Sequence, residues 1–212
     1  MTYTNGEMIF FNSILDGEEI FGVKLKEPFS IDEKYIEDTI ESLQKKGIID
    51  EKRHLVKTAE NPALFIEQYK KARKHIVLNN KRMALCGENY LVVIERKEKE
   101  YEVYGINRRE LLFEIIKETR VMNEDVLKWE NGESSRFNVN EIVKAIKEEE
   151  YEYSAIIEKW EKKRKKKEYI LLWDEEKAVI YDGLKREKQI VNGNYLRQLL
   201  VEILEIKLKG EK

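Results

Sequence analysis

Two histidines, His54 and His75, and one cysteine, Cys86, are the scarce side chains of this sequence. Histidine is the usual general base near neutral pH, so proton transfer would start there. His54 lies in the charged run DEKRH, which reads as an exposed turn. His75 follows KKARK, where a cation suits the C-terminal end of a helix. Cys86 precedes Gly87 at the end of an apolar strand and reads as a buried, inert thiol. Two histidines and one cysteine fall short of a zinc site, and a single cysteine rules out an internal disulfide. Acids are plentiful, but in IERKEKEYE, KEEEYEYS and LLWDEEK they alternate with lysine. That is the pattern of a solvated surface, not of two carboxylates facing each other across a cleft. The nucleophile elbow, the phosphate loop, the dinucleotide fingerprint and the H-E-x-x-H zinc helix are all absent from the sequence. The expectation is a protein that is not an enzyme, with no metal and no cofactor.

Bulk charge narrows the partners. Charged residues make up 39% of the 212 residues, against roughly 25% in an average globular protein. Yet 40 basic residues nearly cancel 42 acidic ones, leaving a net charge of −2. A dedicated nucleic-acid binder shows a basic excess or a basic face. The strongest basic cluster, KWEKKRKKKEY at 159–169, is hemmed by EEEYEY before it and DEE after it. Nucleic acid is therefore not the expected partner. No apolar run approaches the ~18 residues of a membrane span. The N-terminal stretch has acids inside its apolar part and no positive lead-in, unlike a signal peptide. A cytoplasmic location without membrane insertion is expected.

Next come the elements that would position any site. NGEMIFFNSILDGEEIFG (5–22) suits a short buried helix ending near Gly17. SIDEKYIEDTIESLQKKG follows, with Ser30 and Glu33 spaced as a capping box and Gly47 placed just past the helix end. IIDEKRHLVK reads as strand, turn, strand, giving a winged-helix-like segment. Asn61 and Pro62 open a second helix that runs to about His75. Strands near 82–86, 90–96 and 101–105 come next, then a helix capped by Asn107. Asn138 or Asn140 starts a helix, amphipathic at first through Ile142, Val143 and Ile146, that carries a solvated charge run as far as 168, with a break near Glu150 as the alternative. A second hairpin (169–182), a strand near QIVNG and a helix introduced by Asn194 complete the chain.

The two halves rhyme. YLVVIE (90–95) and YILLWD (169–174) each lead through a charged turn to a strand ending Tyr-Gly or Tyr-Asp-Gly, then to an amphipathic helix. Runs of four apolar residues suit strands covered on both faces. The expected fold is α+β: an antiparallel sheet built from two pseudo-symmetric hairpin–helix halves, with helices packed on it and the winged-helix-like segment in front. One domain is expected over 1–212. It comprises a helical and winged segment (1–80), a first half (81–120), a variable loop and helix (121–167) and a second half (168–212).

Partner contacts are expected at the first hairpin tip and its return strand, at Lys97, Tyr101 and Tyr104. Trp160, on the charged helix, is the expected aromatic anchor. Trp173 reads as core, and Trp129 lies in a polar loop as a second possible anchor.

Three pieces, 40–72, 88–118 and 169–205, follow a recognisable order. It is a helix ending in a Gly-apolar step, a short wing, a second helix, a hairpin half, a variable region, and a hairpin half with a Trp-Asp step closed by a C-terminal helix. This layout, over roughly 30–206, resembles the EspG-type chaperones of type VII (ESX) secretion. The resemblance implies a non-catalytic cytosolic chaperone that holds a helical-hairpin secretion substrate until export. Mycobacterial members are rich in Gly, Ala, Arg and Pro, whereas this chain is rich in Lys, Glu and Ile. That departure suits a distant Firmicute-type member with a WXG100-like or LXG-type substrate. The rival reading is a winged-helix DNA-binding regulator resting on 31–57. Against it, SIDEKYIEDTIESLQKKG is acidic on its polar side and would repel phosphate.

Overall fold

A computed structural model describes residues 1–25, 32–56, 61–119, 122, 130–148, 151–174 and 177–207. The chain forms two compact units, each drawing on separated stretches of sequence. The class is α+β, with antiparallel sheet and packed helices, as the sequence pattern predicts.

The first unit holds Met1–Ala72, Asn80–Cys86 and Leu91–Gly105. Its strands are β1 (Thr2–Thr4), β3 (Lys81–Leu85), β4 (Tyr90–Lys97) and β5 (Glu100–Asn107), in the order β1-β5-β4-β3. Leu91, Val92, Val93 and Ile94 of β4 are all buried, so this strand is covered on both faces as its apolar run requires. Three helices complete the unit: α1 (Asn5–Leu15), α2 (Glu33–Lys45) and α3 (Pro62–Lys71). α1 starts with a capping box, in which Thr4 Oγ1 accepts from the Glu7 amide and Glu7 accepts from the Thr4 amide. Met8 and Phe11 of α1 are fully buried, and Phe11 meets Tyr3 edge-on at 5.3 Å.

α2 begins later than the sequence suggests. Asp32 is its cap, accepting from the Tyr35 amide at 2.8 Å, and Glu33 is already helical. Ser30 lies outside the described residues. The far end matches expectation. Gly47 takes φ +69, the Gly47 amide donates to Gln44 O and the Ile48 amide to Leu43 O. This is a Schellman closure, for which a residue without a Cβ is favoured. The wing is small, a single bridge between Ile49 and Leu55. Asn61 caps α3 with Pro62 at its first position, as expected.

The second unit holds Arg73–Asn79, Gly87–Tyr90 and Ile106–Lys212. Its strands β2 (Lys74–Leu78), β6 (Ser135–Arg136), β7 (Tyr153–Glu161), β8 (Arg164–Trp173), β9 (Ala178–Asp182) and β10 (Glu187–Ile190) run in the order β2-β7-β8-β9-β10-β6. Its helices are α4 (Arg108–Glu118), α5 (Val139–Lys147) and α6 (Gly193–Ile203). Asn107 and Asn138 cap α4 and α5. Asn192, not Asn194, caps α6.

Two expectations fail in this unit. α3 stops at Lys71, and His75 is a buried residue of β2, not a helix C-terminus. The helix expected to run to 168 ends at Lys147, and β7 and β8 follow it. Glu and Lys are good helix formers, which misleads a reading by composition. The decisive signal has period 2, with Ala155 and Ile157 buried while Ser154 and Ile156 are exposed. Lys162 and Lys163 both take positive φ and turn the chain between the strands. The charge run is thus a hairpin whose lysines meet carboxylates, with Lys159 at 2.9 Å from Glu205 and Lys165 at 2.7 Å from Glu158.

Candidate partner-binding surfaces

Among the described residues, no three His, Cys, Asp or Glu side chains come together to hold a metal ion. No described helix is long and apolar enough to cross a membrane. The Cys86 thiol is half-buried at the end of β3, with Sγ 3.4 Å from Ala84 O. Exposed His54 sits 3.6 Å from the Asp50 carboxylate in the wing.

The first hairpin tip places Lys97 in the open, 47% exposed, 2.8 Å from Glu95 and 4.0 Å from Glu102. Tyr101 is only 6% exposed. Its hydroxyl donates to Lys24 O at 3.1 Å, so it is a strut within the unit. Tyr104 is half-buried on the same strand. These three share the first unit. Trp160 belongs to the second and lies on strand β7, not on a helix. It is half-buried, donates through Nε1 to Glu158 at 2.9 Å, and has the Lys165 ammonium 5.2 Å from its ring. Trp129 lies outside the described residues. Trp173, expected in the core, is half-buried at the end of β8 and stacks on Tyr153 at 5.5 Å.

Glu95 organises the hairpin base. It is buried in β4 between Lys81, 2.8 Å away, and Lys97. Burial pushes its carboxyl up, but hydrogen bonds from the two lysines outweigh that and hold it below the ordinary glutamate value. A carboxyl lowered by folding stabilises the fold at pH above its unfolded value, and that stability is lost as pH falls through the folded value. Equilibrium urea unfolding should therefore show the midpoint dropping as pH falls below about 4.5. Glu95→Gln should have a lower midpoint at neutral pH and a shallower acid slope. An unchanged slope would remove Glu95 from this role.

A surface that sequence reasoning misses lies on α5. In the sequence this helix reads as amphipathic through Ile142, Val143 and Ile146. The structure instead buries Ile142 and Ala145 against Leu172, Val179 and Tyr181. Val139, Val143 and Ile146, at spacings i, i+4 and i+7, are 63%, 44% and 55% exposed. A short helix apolar on two faces buries one in its own unit and offers the other. The available signal was that VNEIVKAIK has more apolar positions than one face can hold. By contrast, the outer face of α2 is polar, with Glu33, Glu37, Asp38 and Glu41 all exposed. That face repels a phosphate backbone.

Comparison with known proteins bears first on the fold. The structure is similar to that of the Mycobacterium tuberculosis type VII secretion system chaperone EspG5, solved in complex with a PE25–PPE41 dimer. The TM-score is 0.63 over 100% of this chain and 98% of that one, at 8% sequence identity. At that identity the likeness speaks for a shared fold. No curated protein matches the sequence. A family model does, end to end over residues 1–212, and the chain belongs to the family described as a domain of unknown function, DUF5081.

Proposed function

We propose that this protein is a non-catalytic cytosolic chaperone or adaptor that holds a helical type VII secretion substrate before export. The observation that carries this reading is the fold likeness to EspG5, which spans nearly the whole of both chains. The partner it favours is a helical-hairpin protein of the WXG100-like or LXG-type class. Such a hairpin exposes apolar side chains at its tip, which a carrier must cover to prevent self-association. The outer stripe of α5 supplies three apolar side chains at helical spacing for such a contact. Lys97 and Tyr104 in the first unit, and Trp160 in the second, are proposed as further contacts. Tyr101 supports the hairpin from beneath.

Co-expression with WXG100-like and LXG-type proteins encoded near this gene tests the reading. A stable complex on size exclusion, or higher solubility of the substrate, is the expected result. If no substrate co-purifies and none gains solubility, the reading fails. In a complex that does form, Val143→Glu with Ile146→Glu should weaken binding by about tenfold or more, since each buries a charge against an apolar partner. Both side chains are already exposed, so the variant should unfold at the same urea concentration as the parent.

A further inference from the structure

A cavity of about 250 Å³ opens in the first unit beside the base of the first hairpin. Strand register sets its floor. Arg82 stands opposite Ile94 in the β3–β4 ladder, while Lys81 and Glu95 form the next pair on the other face. Asn80, Arg82, Arg96 and Tyr101 line the cavity, with Gly22 and Lys24 from the segment after α1. Two guanidinium groups and one ammonium thus converge, and no acid is among the described residues that line it.

The rim is fixed by the protein itself. Tyr69 Oη donates to Phe21 O at 2.9 Å, Arg82 Nε to Gly22 O at 3.1 Å, and Tyr101 Oη to Lys24 O at 3.1 Å. Three side chains from α3, β3 and β5 therefore pin a short stretch of backbone. Gly22 takes φ +71, and a Cβ there would stand 3.2 Å from Arg82 Cδ. A side chain at this position would be strained and would crowd the arginine.

Many lysines have carboxylate partners among the described residues, as Lys46, Lys81 and Lys159 do. The side chains of Lys24 and Arg96 have none among the described residues, although acids outnumber bases overall. A concavity whose described lining holds cations and no acid raises the local concentration of anions. The planar arginine fork matches the geometry of carboxylate and phosphate oxygens. The volume suits one small group and falls below the roughly 300 Å³ at which drug-sized pockets begin.

We propose that this cavity is an oxyanion site that takes a single carboxylate or phosphate group, held by Arg96 and Lys24 with Arg82 fixed at its wall. Two probes separate the sources of such a group. One is inorganic phosphate, the other a blocked peptide carrying one glutamate, each titrated into the full-length protein at low salt and followed by amide NMR shifts. Saturable shifts at Gly22, Lys24 and Arg96 are expected, and the tighter probe identifies the source. Affinity should fall about tenfold in Arg96→Gln, one charged hydrogen bond's worth. It should also weaken as salt rises from about 20 to 200 mM. Lys166→Gln, an exposed lysine on β8, serves as the control. Lys24→Gln substitutes for Arg96→Gln should the latter fail to fold. The proposal is overturned if neither probe gives saturable shifts, or if the cavity variant binds as tightly as the control.

Discussion

Replacing Arg108 with methionine is expected to cost about 3 kcal/mol of stability, among the largest losses from any single change. Arg108 is the first residue of α4, and its guanidinium is buried. Nη1 donates to Leu204 O at 3.2 Å and to Glu205 O at 3.1 Å, and Nη2 donates to Gly87 O. Leu204 caps the C-terminal end of α6, where backbone carbonyls lack helical partners and carry the negative end of the dipole. A hydrogen bond from a charged donor is worth about 1.5–3 kcal/mol, and three sharing one donor group do not add fully. Arg109 extends the clasp with a bond from Nη2 to Lys207 O at 2.9 Å. Methionine keeps the volume of the stem and deletes every donor. Arg108→Lys should recover less than half the loss, because one ammonium cannot span carbonyls that an arginine fork reaches in two directions. Urea unfolding followed by circular dichroism checks both variants. A loss under about 1 kcal/mol for the methionine variant would mean that water replaces the clasp without cost.

Lys46→Met is expected to be comparably severe, at about 3–5 kcal/mol. Glu7 is fully buried. Lys46 Nζ lies 2.8 Å from its Oε1 and 2.7 Å from its Oε2, and 2.9 Å from Thr2 O. Removing the ammonium strands a carboxylate away from water, which costs more than the pair contributes while intact. The test is therefore a cycle and not one variant. Glu7→Gln keeps a side-chain oxygen for the Thr4 amide and so keeps the cap of α1. The Lys46→Met/Glu7→Gln double variant should be clearly more stable than Lys46→Met alone. If the double variant loses the sum of the two single losses, the residues are not coupled and the argument is wrong.

Much of the fold is legible in the sequence because several signals are local. Asn61–Pro62, Asn107 and Asn138 each satisfy the first amides of a helix within a few residues, so their role needs no distant partner. Gly47 marks the end of α2 for the same reason. The apolar runs of β4, β8 and β9 identify strands because four apolar residues in succession have few other stable settings. The stretch 148–168 fails this test. Its Glu and Lys favour helix intrinsically, and only the pairing of β7 with β2 and with β8 supplies the cross-strand partners that override that preference.

The surfaces divide the same way. That acids and bases nearly cancel, and that histidine and cysteine are too few for a zinc centre, are set by composition alone. Which lysines are neutralised is not, because Lys46 meets Glu7 across 39 positions and Lys74 meets Glu205 across 131. Tyr101 and Lys97 are four residues apart, yet one is a buried strut and the other an exposed cation. Helix periodicity named Val143 and Ile146 as apolar but could not say which of two apolar faces of α5 would meet the sheet. The sequence by itself determined the charge balance, and most helix caps and apolar strands, whose signals lie within a few residues, but not β2 or β7, which depend on their pairing. Tertiary structure alone decided the pairing of charges, the pinned rim that holds Arg82 beside Lys24 and Arg96, and the outward face of α5. Those depend on residues brought together by the sheet, and the free energy of such contacts exists only once the chain has closed.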